Sequence, residues 1–280
     1  MNNKFNDFFA VHSQNVDNAN QLGFWALTDQ LLEYFLLEEM TKRNNVRIVD
    51  FGGGTGRWLK KLDKHFEDSS FIIVDLSDDM LKQAKKKIDT KQFRNKVELI
   101  KSDISNIVAL PGGTADYIIS TYNPLSFVDK PQLVIDEAFR ILKKGGKALI
   151  TVQGYYNALY SKLNNTLSGP EELLSIFNDK KVIWNPSVPA LWQLPQKDME
   201  DMFAQSGFNN VSSRGIASIA QPQSEDFDPE NKQLGPLSKK LNEDPDFFDA
   251  VFEIEKNTGC DQQAINRAMN ILTIGERVDE

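Results

Sequence analysis

Cysteine and histidine are nearly missing from this chain: its 280 residues include one cysteine, Cys260, and two histidines, His12 and His65. One thiol excludes an intramolecular disulfide, and so few soft ligands argue against a structural zinc site, so no metal is expected. Long apolar runs are missing too. The best of them, LLEYFLLEEM, is broken by Glu33, Glu38 and Glu39 and falls short of the roughly 18 to 20 residues that a membrane span requires. The opening MNNKFNDFFAVHS lacks the basic, apolar and small-residue segments of a signal peptide. A soluble, cytoplasmic protein without membrane contact is the expectation. Positive charge is also in deficit: 32 Lys and Arg against 40 Asp and Glu leave a net charge of -8 and a pI near 5.0. That speaks against tracking a phosphate backbone, so nucleic acid is not an expected partner. The one basic stretch, Lys82 to Lys101, reads as the solvated face of an amphipathic helix and its exit loop.

What is present is enough apolar residue, 40% of the chain, for a sizeable core. From Val46 to Val152 strand-like and helix-like segments alternate in the rhythm of a parallel α/β sheet. The strand candidates are Val46 to Asp50, Phe71 to Asp75, Val97 to Ile100, Tyr117 to Ser120 and Ala148 to Val152. Ser77 is placed to cap a helix beginning at Asp78, Pro131 suits a first helical turn, and Gly145-Gly146 reads as a helix stop. Further on, Gln196 to Gly207 reads as a helix, Asn210 to Arg214 as a sixth strand and Asn270 to Gly275 as a seventh. The expected fold is therefore α/β, a doubly wound, mostly parallel seven-stranded sheet. Residues 1–45, with a helix from Leu22 to Met40, form an N-terminal helical cap; 46–152 are the core; 153–195 an insertion; 196–214 the core continued; 215–268 a second insertion; 269–280 the last strand and C-terminus. The polar, proline-containing QPQSEDFDPENKQLGP is the expected flexible loop.

The most informative stretch is RIVDFGGGTGRW, in which Gly52, Gly53, Gly54 and Gly56 follow an apolar run. Such a loop lets a ligand approach the backbone closely. A dinucleotide fingerprint fails on spacing: starting GxGxxG at Gly52 puts Arg57, and starting at Gly54 puts Leu59, where the third glycine belongs. No Gly-Lys-Ser or Gly-Lys-Thr follows, which excludes a P-loop. An acid, Asp50, heads the loop; it would repel a pyrophosphate and suit a ligand bearing a positive charge.

Asp50-Phe51-Gly52-Gly53-Gly54-Thr55-Gly56 resembles the first motif of class I S-adenosylmethionine-dependent methyltransferases. The resemblance continues through Asp75 in VDLSDDML, Asp103 in KSDIS, the fourth strand from Asp116 to Ser120, and EAFRILKKGGKALIT. It implies S-adenosylmethionine as cofactor, with Asp50 and the glycines at its amino-acid end, Asp75 on the ribose hydroxyls, and Asp103 with the backbone of Ile104 at the adenine. Leu76, Met80 and Ser120 complete the implied cofactor site. An acid in the place of Asp75 also occurs in nicotinamide-binding folds, so that residue alone does not separate the two cofactors. An NAD(P)-dependent oxidoreductase and a non-catalytic cofactor-binding scaffold are the alternatives.

Methyl transfer asks mainly for near-attack geometry and needs no catalytic triad. Aromatic faces can favour a sulfonium, and Trp25 and Tyr122 are candidate walls. If the acceptor arrives protonated a base is needed; His12, in the cap, is the better placed histidine, whereas His65 reads as a surface residue. Tyr122-Asn123-Pro124-Leu125 partly matches the Asn-Pro-Pro-aromatic motif of amino-group methyltransferases, but Leu125 replaces the second proline. The insertion after the fifth strand supplies Tyr155, Tyr156, Tyr160, Trp184 and Trp192, the expected lining, with Trp25, Tyr122 and Asn123, of a pocket for a small-molecule acceptor. The acceptor, the attacking atom and the oligomeric state are left open.

Overall fold

A computed structural model describes residues 9, 13, 17, 23–184, 186, 188–227 and 234–278. The first described helix, α1 (Gly23–Glu39), buries Phe24, Leu27, Leu31, Leu32, Phe35 and Leu36 on one side, the i, i+3, i+4 spacing that the sequence pattern demands. The alternating core follows: β1 (Arg47–Phe51), α2 (Arg57–Leu62), β2 (Ser70–Asp75), α3 (Asp78–Asp89), β3 (Lys96–Lys101), β4 (Ala115–Ser120), α4 (Pro131–Ile141) and β5 (Leu142–Gly154). The Ser77 side chain accepts from the Met80 amide and caps α3, while Pro131 sits in the first turn of α4. The lysines of α3 pair along its exposed face, Lys82 with Asp79 and Lys85 with Asp89.

The sheet order is β3-β2-β1-β4-β5, all parallel. It is extended by β9 (Asn270–Glu276), antiparallel to β5, and β8 (Asn209–Ile216), antiparallel to β9. These seven strands are the expected sheet. Two short strands from the first insertion add to it: β7 (Leu191–Leu194) pairs with the last residues of β5, and β6 (Lys181–Val182) pairs with β7. The order runs outward from β1 in both directions, so the chain crosses to opposite sides after β1 and opens a crevice at the carboxyl ends of β1 and β4.

Period-two alternation supplies both faces of the sheet. Ile48, Ile73, Ile119 and Leu149 point into a core shared with α1 and α2, whereas Val49, Ile72, Ile118 and Ile150 point into the core under α4 and α7 (Gln196–Gln205). The first insertion forms α5 (Tyr155–Asn164) and α6 (Pro170–Asp179); the second forms α8 (Pro236–Glu243) and α9 (Pro245–Thr258). The second insertion grips the start of α1, where the Phe24 amide donates to Ser238 Oγ at 3.0 Å and the Gly23 amide to Asn242 Oδ1 at 2.7 Å.

Gly145-Gly146 does not stop a helix. Helix α4 ends at Ile141, with Leu142 already extended, and the two glycines lie inside a β5 longer than Ala148 to Val152. The physical reason is pairing: Gly145 donates to the Arg277 carbonyl and Gly146 accepts from the Arg277 amide, and a Cβ on Gly146 would stand 3.0 Å from the Asp116 carbonyl. The strand therefore crosses the boundary expected at residue 152, and β8 runs to Ile216. The expected flexible loop is in part a 3-10 turn, Ser224–Phe227; its residues 228–233 lie outside the described residues.

Candidate cofactor-binding and acceptor site

The loop after β1 is held from below and from one side. The amides of Gly52 and Gly53 both donate to the Val74 carbonyl, at 2.8 and 3.2 Å, which ties the loop to the end of β2. Gly52 has φ +68°, and a Cβ there would stand 2.4 Å from Pro124 Cβ, so only glycine fits beneath the turn after β4. A Cβ on Gly53 would meet the Asp50 carboxyl at 2.7 Å; the bare backbone is what lets the loop lie against that acid.

Asp50 is 1% exposed, and among the described residues neither of its carboxylate oxygens has a hydrogen-bond partner. Burial, and then the charge of Asp75, push its pKa well above the usual carboxylate value. A buried acceptor left this way costs folding free energy unless a ligand donates to it. Asp75 is differently placed. Its Oδ2 accepts the Gly54 amide at 2.9 Å and its Oδ1 the Ser77 amide at 2.8 Å, linking the ends of β1 and β2. Burial raises its pKa, and the amide bonds from Ser77, Gly54 and Leu76 offset part of that rise. Met80 is buried, with its sulfur 3.4 Å from where a Cβ on Gly54 would stand, so it lines the loop.

Asp103 Oδ1 accepts from the Ser105 amide at 2.9 Å and hydroxyl at 2.7 Å, closing the turn after β3, where the following residue, Ile104, is buried. The backbone of that turn is tied to β2 by the Ser102 amide, which donates to the Asp75 carbonyl at 3.1 Å. Ser120 is fully buried, and its hydroxyl donates to the Phe51 carbonyl at 2.9 Å, stitching β4 to the start of the loop. The structure thus brings Asp50, Gly52, Gly53, Gly54, Asp75 and Met80 into one place and sets Asp103 and Ile104 on the neighbouring strand end.

Behind the loop stands a charged cluster that the sequence reading missed. Asp29, on the buried face of α1, holds Arg57 through two bonds at 2.5 and 3.1 Å and lies 3.2 Å from Lys61 Nζ. The Tyr122 hydroxyl donates to Asp29, and Arg57 stacks over the rings of Tyr122 and Trp58 at 5.1 and 5.3 Å. Burial first, and then the negative charge of Asp29, raise the Tyr122 pKa, so its proton stays on. Burial works against the charge on Arg57, but the bonds and charge of Asp29 outweigh it. Tyr122 and Asn123 both take left-handed backbone, φ +57° and +68°, an uncommon pair for residues other than glycine. One signal was legible: an acid amid FWALTDQLL sits on an apolar face, where charge needs a partner.

A second contact reaches the loop from the N-terminal segment. Thr55 Oγ1 donates to Asp17 Oδ1 at 2.7 Å, and Lys87 from α3 bonds both Asp17, at 2.5 Å, and the Thr55 carbonyl, at 2.9 Å. His12 lies outside the described residues. His65 sits beyond α2, 3.2 Å from Glu33 Oε1.

The aromatic residues expected to line an acceptor pocket are spread out. Trp25 donates its indole N–H to the Asp226 carbonyl of the second insertion at 2.7 Å. Tyr155 is buried and donates to the Phe177 carbonyl at 3.1 Å, edge-on to Tyr156 at 5.0 Å, while Tyr156 and Tyr160 are exposed. Trp192 donates to the Val128 carbonyl at 2.9 Å and lies under Lys181. Trp184 donates to Gln153 Oε1 at 2.9 Å. Asn123 is buried above β5, with its amide bonded to Thr151 Oγ1 at 3.0 Å and its side-chain nitrogen to Asn270 Oδ1 at 2.7 Å. Among the described residues no group of three or more His, Cys, Asp or Glu could hold a metal, and no helix is long and apolar enough to cross a membrane.

Fold and loop together define the class: this is the architecture of class I S-adenosylmethionine-dependent methyltransferases. Residues 48–146 match the family described as methyltransferase domain. The chloroplastic 2-methyl-6-phytyl-1,4-hydroquinone methyltransferase of Spinacia oleracea is 32% identical over 143 residues, 51% of this chain and 39% of that protein. The chain therefore matches well under two thirds of the length of that relative. Among solved structures, the Haloferax volcanii complex of the Trm112 methyltransferase activator with a putative methyltransferase aligns at TM-score 0.59 and 16% identity, covering 98% of this chain and 96% of that one. The Haemonchus contortus phosphoethanolamine N-methyltransferase 2 with S-adenosyl-L-methionine aligns at TM-score 0.56 and 16% identity, covering 90% and 53%. At these identities the structures share the fold.

Proposed function

We propose that this protein is an enzyme that transfers the methyl group of S-adenosylmethionine to a small-molecule acceptor. The observation that carries the reading is Asp50, a buried carboxylate against which the glycine loop is built and whose two oxygens no described residue bonds. A ligand with an ammonium group satisfies it; a pyrophosphate does not. When bound, the cofactor supplies a methyl carbon already activated by a sulfonium. Asp50 and the backbone of Gly52 to Gly54 would hold its amino-acid end, Asp75 the ribose hydroxyls, and Asp103 with the Ile104 amide the adenine. A carboxylate has about four acceptor sites, so Asp75, which accepts from the backbone through both oxygens, keeps capacity for a hydroxyl.

The rest of the task is positioning. Asp29 and Arg57 hold Tyr122, and through it the turn that carries Asn123 over β5 and Pro124 against Gly52. The acidic chain disfavours a nucleic-acid acceptor, and the hydroquinone-methylating relative supports a small one. His12 as base, and Tyr155, Tyr156, Trp25 and Trp192 near the acceptor, belong to the same reading. Incubation with methyl-labelled cofactor and cell extract, followed by mass spectrometry, tests it: label is expected in small molecules, and label confined to RNA or protein refutes the acceptor class. Binding of NADH in preference to S-adenosylmethionine would refute the donor.

A further inference from the structure

Four carboxamide side chains form a row across the carboxyl end of the sheet. Gln153 on β5 is paired in register with Asn270 on β9 at one edge and with Gln193 on β7 at the other. Paired residues share a face, so the three side chains lie side by side at strand spacing, roughly 10 Å from first to last. Asn123 joins the row from the turn after β4, bonding Asn270. Asn123, Gln193 and Asn270 are 5%, 0% and 4% exposed, and Gln153 is half-buried.

The hydrogen bonds fix which way the two glutamine amides face. The Trp184 indole is a donor only, so the oxygen it meets at 2.9 Å is Gln153 Oε1. Gln193 must then present its nitrogen to that same oxygen, at 2.6 Å, and its own oxygen points away. Among the described residues that oxygen has no hydrogen-bond partner, and neither has Asn123 Oδ1. Two buried acceptors in one hydrogen-bonded row, each left without a donor, are a cost that a ligand with donors removes. The row itself holds no charged side chain to compensate an ionic ligand. Directly beyond Gly154, α5 and α6 expose Tyr156, Tyr160, Leu163, Leu174 and Phe177, an apolar surface beside the half-exposed Trp184.

We propose that the Asn123–Asn270–Gln153–Gln193 row is the acceptor-recognition site and that it takes a neutral molecule presenting hydroxyl groups on an apolar ring, whose O–H groups donate to Gln193 Oε1 and Asn123 Oδ1. The proposal rests on the methyl-transfer reading and adds the chemical class of the acceptor to it. Hydroquinone and its donor-free analogue 1,4-dimethoxybenzene are the probes, titrated by calorimetry and saturation-transfer NMR with the protein saturated in S-adenosylhomocysteine. Hydroquinone is expected to bind at least tenfold more tightly than the diether, and Gln193→Met, close in size, to remove that preference while S-adenosylhomocysteine affinity stays unchanged. Equal binding of the two probes, no binding of hydroquinone, or a preference that survives in a folded Gln193→Met protein overturns the site. The probe comparison on the unmodified protein decides the matter if that variant does not fold. Failure of S-adenosylhomocysteine to bind the unmodified protein is a separate result and overturns the methyl-transfer reading itself.

Discussion

The Asp75 carboxylate accepts the amide hydrogen of Gly54 at 2.9 Å, so the acid that ends β2 also shapes the loop that follows β1. The proposed ribose contact and the loop geometry therefore share one side chain. Asp75→Ala is expected to weaken S-adenosylmethionine binding by roughly 1.5 to 3 kcal/mol, the range for hydrogen bonds to a charged group, measured by titration calorimetry. Affinity equal to the unmodified protein would rule out the ribose role.

Asp50 makes binding and stability respond oppositely to pH. Its folded-state pKa lies well above the ordinary carboxylate value, so the protonated form is the one the ligand-free fold favours. Its contribution is complete below about pH 4, the unfolded value, and is lost as pH rises through the raised one. Asp75, also raised, acts in the same direction. Ligand-free melting temperature should thus fall across that window, and Asp50→Asn should flatten the profile. An ammonium-bearing cofactor needs the anion, so its affinity should rise with pH over the same window with release of a proton, visible as a buffer-dependent calorimetric enthalpy. An enthalpy independent of buffer, or a profile unchanged in Asp50→Asn, counts against it.

Gly52→Ala places a methyl group 2.4 Å from Pro124 Cβ at φ +68°. The turn after β4 must move, and with it Asn123. We expect a loss of about 1 to 3 kcal/mol in urea denaturation, as for overpacking at a strained position, and weaker cofactor binding. Native stability and affinity would contradict the close packing.

Asp29→Ala leaves Arg57 buried without its bidentate partner and frees Tyr122. Breaking a buried pair this way costs about 3 to 5 kcal/mol, to be read by chemical denaturation. Tyr122→Phe keeps the pair and should cost only about 1 kcal/mol, the net worth of one hydrogen bond. Similar losses in both variants would show that the tyrosine, not the ion pair, organises the cluster.

Much of the fold was legible because its signals are local. The β-branched runs of β1 and β2, the Ser77 cap and the proline opening α4 lie within a few residues of what they specify. Gly145-Gly146 misled because a helix stop and a strand bulge use the same residues, and only the partner Arg277, far along the chain, separates them. That Asp50, Gly54, Asp75 and Met80 gather around one loop was legible through motif spacing. The aromatics of the insertion were not placed by composition, since Tyr155 and Trp192 are spent on carbonyls of the protein's own chain.

By itself the sequence determined the order of strands and helices, the two apolar faces of the sheet, and the loop in which an acid precedes closely spaced glycines, because each depends on periodicity or on backbone freedom within a short window. Tertiary structure alone decided that Asp29 would meet Tyr122 across 93 residues, that Asp50 would be left without a donor among the described residues, and that Asn123, Gln153, Gln193 and Asn270 would stand in one row. Those outcomes follow from which strand ends become neighbours, and strand pairing is a contact between distant segments that no local pattern encodes.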